Sequence, residues 1–77
     1  MTKNELIDKL KEILEIEDQE LTLETNLKET EGYDSLFVLS LIALIDKEFK
    51  KSVSADQVVN IITIQNLVDL IGPENFN

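Results

Sequence analysis

Chemistry in this chain could be built around Ser35, which stands in the stretch Glu31-Gly32-Tyr33-Asp34-Ser35-Leu36-Phe37-Val38 between a carboxylate and a long apolar segment. The 77 residues contain no histidine and no cysteine. The usual nucleophile–base pairs and zinc sites are therefore unavailable. Asp34 directly precedes Ser35, where a carboxylate suits capping a helix better than deprotonating its neighbour. The acids Glu15, Glu17, Asp18 and Glu20 form a further cluster, but without the spacing and glycine of a calcium loop, and they read as solvated surface charge. No metal site is expected. Gly32 and Gly72 are the only glycines, so no glycine-rich loop cradles a phosphate. The pattern does not point to an enzyme. If Ser35 has a chemical role, another protein must act on it.

Four helical segments position this serine. Thr2, with Glu5 three residues later, forms a capping-box pair for a first helix. Its apolar stripe is Leu6, Ile7, Leu10, Ile13 and Leu14, and it ends near Glu15. Residues 16–33 show no sustained period, and their Leu21, Leu23 and Leu27 are expected to pin a long loop to the core. The second helix starts at Asp34 or Ser35 and runs to about Lys50, with Val38, Leu41, Ile42, Ile45 and Phe49 on one face. Ser54 and Gln57 cap a short third helix carrying Val58, Val59 and Ile61. Thr63 caps a fourth, whose apolar face is Ile64, Leu67, Val68, Leu70 and Ile71. Gly72 and Pro73 stop it, because glycine tolerates the left-handed position at a helix C-terminus and proline cannot continue the helix. No stretch alternates long enough for a sheet. The expected fold is all-α: a small four-helix bundle of three longer helices and one short third helix, with a long loop between helices 1 and 2, forming a single domain over residues 1–77.

Composition narrows the partners. Hydrophobic residues make up 43% of the chain, enough to order a core, but only 5% are aromatic, so that core must be aliphatic. The net charge of −9 opposes nucleic acid and anionic membrane, both of which recruit Lys and Arg. Residues 1–34 hold eleven acids and four lysines, a net of −7, whereas residues 35–77 hold five acids and three lysines, a net of −2. The longest apolar run, Leu41 to Ile45, is far too short for membrane insertion, and MTKNELIDKL reads as an amphipathic helix rather than a signal peptide. A soluble, cytoplasmic monomer is expected, and the lack of cysteine suits a reducing compartment.

Gly32-Tyr33-Asp34-Ser35-Leu36 resembles the G-x-D-S-L attachment motif of acyl carrier proteins. The resemblance extends along the chain. Ile45-Asp46-Lys47-Glu48-Phe49 is similar to the family's L-x-x-E-F helix ending, and Thr63-Ile64-Gln65-Asn66-Leu67-Val68-Asp69-Leu70-Ile71 to its T-V-x-D-L-x-x-x-I close. The resemblance implies that a phosphopantetheinyl transferase moves 4′-phosphopantetheine from coenzyme A onto Ser35, with Asp34 and Leu36 completing the motif. Acyl-loading and acyl-transferring enzymes would then use the arm's thiol to carry thioesters, so the missing cysteine is no obstacle. A phosphate at a helix N-terminus meets unpaired N–H groups and the positive end of the helix dipole, which agrees with this assignment.

Several positions depart from the family pattern and imply a specialised member rather than the housekeeping fatty-acid carrier. Phe37 and Ser40 occupy positions where fatty-acid carriers commonly have acids, and Lys47 replaces another. From Ser35 to Lys50, Asp46 and Glu48 are balanced by Lys47 and Lys50. Phe37 either packs against the long loop or joins Leu36 and Ser40 in an apolar partner-docking patch; the second reading is carried forward as the expectation. Two other identities remain open: a carrier-fold interaction module that is never modified, and an aminoacyl or peptidyl carrier, whose motif often reads G-G-x-S-[LI]. Asp34 and the absent second glycine favour an acyl or specialised small-acid cargo.

Overall fold

The computed structural model describes residues 1–16 and 18–76, so Glu17 of the acidic cluster lies outside the described residues. The first helix, α1, spans Lys3–Leu14. Its capping box is formed: the Thr2 hydroxyl accepts from the Glu5 N–H at 3.1 Å, and the Glu5 carboxylate accepts from the Thr2 N–H at 2.9 Å. Glu15 ends the helix in the left-handed conformation with φ 59°. α2 spans Ser35–Phe49, α3 Ala55–Val59 and α4 Ile64–Ile71. No strand forms among the described residues. The bundle is all-α, as the periodicity indicated.

The core is aliphatic with one aromatic. Leu6, Leu10, Leu14, Leu41, Ile45, Val58, Ile64, Leu67, Val68 and Ile71 bury together, joined by Leu21, Leu27 and Ile61 from the connections. Each fully buried leucine or isoleucine contributes about 1.5–3 kcal/mol relative to an exposed one. Val59, expected with Val58 on the apolar face of α3, points outward at 41% exposure. Ile61 falls beyond the end of α3 and is buried from the following turn.

The long connection is more organised than its lack of period suggested. Leu27–Glu29 form a 3-10 turn capped by Asn26, whose Oδ1 accepts from Lys28 N–H at 2.9 Å and Glu29 N–H at 3.3 Å. The loop is also stitched to the α3–α4 junction. Leu27 N–H donates to the Ile62 carbonyl at 2.7 Å, Ile64 N–H to the Thr25 carbonyl at 3.3 Å, and Gln65 N–H to the Leu23 carbonyl at 2.8 Å. Asn26 and Thr63 pair as an isolated antiparallel bridge.

Gly72 ends α4 with φ 107° and ψ 115°, a positive φ but not the left-handed helical region, and Pro73–Asn75 begin a second 3-10 turn instead of leaving the fold. Lys51 Nζ (3.2 Å) and Asn75 Nδ2 (2.8 Å) both donate to the Ile71 carbonyl, satisfying an acceptor the helix itself leaves open.

Candidate functional site

Ser35 is the first residue of α2, and its side chain is exposed. Asp34 is the N-cap. Its Oδ1 accepts from the Phe37 N–H at 2.8 Å, and its carbonyl accepts from the Val38 N–H at 3.2 Å. Two of the helix's first amides are thus engaged by Asp34. The amides of Ser35 and Leu36, and the Ser35 hydroxyl, have no hydrogen-bond partner among the described residues. A phosphate ester on that hydroxyl would lie against two open N–H donors at the positive end of a four-turn helix. The carboxylate that caps the helix leaves those two amides free for it.

Gly32 fixes the approach to the serine. Its φ is 94°, and a Cβ there would sit 2.7 Å from the Leu14 carbonyl oxygen. Both the backbone conformation and the close contact call for glycine. The loop before Ser35 is in this way set directly on the C-terminal end of α1.

Two grooves flank the start of α2. One, of about 270 Å³, is lined by Ser35, Val38 and Leu39 of α2 and by Ala55 and Val59 of α3; it carries no ionisable side chain. Ser35 and Leu39 are one helical turn apart and share its wall. The other, of about 200 Å³, lies against the end of α1, between Ile13–Glu15 and Gly32, Asp34, Leu36, Phe37 and Ser40. Apart from Ser35 itself, the first groove is lined only by apolar side chains.

The expected docking patch does not form as read from the sequence. Phe37 is 2% exposed and belongs to the core, with its ring 5.4 Å from that of half-buried Tyr33 in a tilted pair. The cause is its register: three residues past the cap, it points back under the loop that Gly32 holds against α1, and an aromatic fills that space. Ser40 is half-buried and faces the α1 side. Leu36 is exposed at 69%. Besides Leu36, the exposed large apolar residues are Leu39, at 62% exposure, Ile62, and Val59, which the sequence had placed on a buried face. The signal for Leu39 was present: it is apolar but falls off the stripe of Val38, Leu41, Ile42, Ile45 and Phe49. Among the described residues, no three acidic side chains converge as a metal site would require, and no helix is long and apolar enough to cross a membrane.

Comparison with known proteins places this geometry in a family. The family model described as "Phosphopantetheine attachment site" matches residues 4–71. An acyl carrier protein from Petrotoga mobilis is 32% identical over 76 residues, covering 94% of this chain and 89% of the relative. An acyl carrier protein from Trieres chinensis is 33% identical over 66 residues, covering 86% of this chain and 82% of the relative. No solved structure matches the chain at a significant level. With an attachment-site match over most of its length and a helical bundle that leaves one serine open at a helix start, the chain belongs to the phosphopantetheine-bearing acyl carrier protein family.

Proposed function

We propose that Ser35 is the attachment residue and that the chain carries acyl groups as thioesters on an arm held there. In the loading step Ser35 Oγ forms a bond to the phosphorus that bears the pantetheine of coenzyme A. The bond from that phosphorus to the rest of the pyrophosphate breaks, 3′,5′-ADP leaves, and the hydroxyl proton passes to the transferase or to water. The transferase supplies this chemistry, and the carrier itself is not a catalyst. Asp34 holds the first turn of α2 so that the serine and two free amides face outward, and Leu36 flanks them. The observation that carries the reading is the exposed, unbonded Ser35 hydroxyl at the capped start of α2, opening onto an apolar groove.

The lining of that groove supports apolar acyl cargo over an aminoacyl group, whose ammonium would find no partner there. A monomer visiting loading and transferring enzymes in the cytoplasm is part of the same reading and suits a chain without cysteine. Incubation with coenzyme A and a broad-specificity phosphopantetheinyl transferase should add the mass of one phosphopantetheinyl group to the wild type and none to Ser35→Ala. A wild-type chain left unmodified by several transferases would make it an interaction module instead.

A further inference from the structure

Three large apolar side chains lie exposed around Ser35: Leu36 and Leu39 on α2 and Val59 on α3. A scattered surface leucine is ordinary. These are not scattered, since Leu36 and Leu39 are three residues apart on one helix, and Leu39 and Val59 line the same groove as Ser35. The charge pattern around them is equally marked. Residues 35–45 contain no charged residue at all, and residues 54–62 contain only Asp56. In a chain of net charge −9, the groove at Ser35 is lined without any ionisable side chain, and the acids Asp34 and Glu15 line the neighbouring groove beside Leu36.

We infer that the enzymes acting at Ser35 dock on this face through an apolar, uncharged surface of their own, with Leu36, Leu39 and Val59 as the contacts. The inference rests on Ser35 being the attachment residue, since any enzyme that reaches its hydroxyl or an arm on it must cover the groove beside it. A partner with a basic docking patch would find no row of acids to pair with there. It would gain no ion pair from the groove that Leu39 and Val59 line. A second copy of the chain is a poorer occupant. Three side chains fall well short of the roughly 1,000 Å² that a specific, stable pair buries. A small apolar contact instead suits a partner that must bind, act and release.

The transferase that loads Ser35 is the probe. Its KM for the wild-type carrier is expected to change less than about twofold between roughly 50 and 500 mM NaCl, because no charged side chain lines the contact groove. Leu39→Asp and Val59→Asp are each expected to raise that KM about tenfold or more, the loss a truncated anchor produces, with kcat nearly unchanged. Both residues are exposed, so melting temperatures should stay close to wild type. If an aspartate variant melts markedly lower, Leu39→Ala and Val59→Ser make the same comparison. A wild-type KM that climbs steeply with salt, or folded variants loaded with the wild-type KM, would overturn the apolar docking face. A wild type that sediments as a dimer, and variants that sediment as monomers, would assign the face to a second copy and overturn it equally. Absence of transfer to the wild type, or transfer that survives Ser35→Ala, would instead overturn the attachment reading, and this inference with it.

Discussion

Phe37 shows how one residue can be read in two ways until its surroundings are known. On a helix surface, next to an attachment motif and where related carriers place an acid, it looks like a contact for a partner. Buried beneath Tyr33, it is the aromatic element of an otherwise aliphatic core. Phe37→Ala is therefore expected to cost about 3–5 kcal/mol, the range for a buried phenylalanine. A chain of this length is stabilised by only about 4–12 kcal/mol in total. Thermal or urea unfolding should show a large drop in stability, and reduced loading of this variant would follow from loss of fold. A Phe37→Ala protein as stable as wild type would place the ring back on the surface.

The helices were legible in the sequence because each carries its own boundary signals. Thr2, Asp34, Ser54 and Thr63 each accept from the amide three residues on, and the apolar stripes between them bury as spaced. Two features escaped a reading by period. The loop stitching of Thr25 and Leu27 to Ile62 and Ile64 uses backbone groups, which every residue type supplies and no composition reveals. The outward turn of Val59 depends on where α3 lies along α2, which a five-residue helix cannot signal alone.

The α1 capping box also sets a pH response. The Thr2 N–H bound to the Glu5 carboxylate, with further help from the Thr2 hydroxyl, holds this acid below the usual carboxylate range. A depressed folded pKa contributes stability that is fully present above the unfolded value and is lost as pH falls through the folded one. The first turn of α1 is expected to loosen on acidification through that lowered value. NMR titration of the Thr2 and Glu5 amides should follow the transition, and in Glu5→Gln it should vanish.

Over the whole molecule the charge is lopsided, with a net of −7 in the first 34 residues and −2 in the rest. A single ion pair, Lys9 with Glu48 at 3.5 Å, links the two parts among the described residues. Self-repulsion in α1 and the loop should therefore lower stability at low ionic strength. Raising NaCl from about 10 mM to about 150 mM, which shortens the Debye length from roughly 30 to roughly 8 Å, is expected to raise Tm. A Tm that stays flat or falls over that range would show that repulsion is not what limits stability. The same partition bears on how the chain reaches its native state. Residues 23–27 bond to residues 62–65 across almost the full length of α2 and α3 in sequence, so the connection that leads into Ser35 is completed only when the far end of the chain arrives. Those ladder bonds carry a large loop-closure entropy, and they form late relative to the local turns of the helices. In a nascent chain the contact of Gly32 with the end of α1 is available early, but the loop's bonds at Leu23, Thr25 and Leu27 can form only once Ile62, Ile64 and Gln65 have emerged. On the proposed attachment at Ser35, loading is expected to be faster for the finished bundle than for a chain that still lacks Ile64 and Gln65.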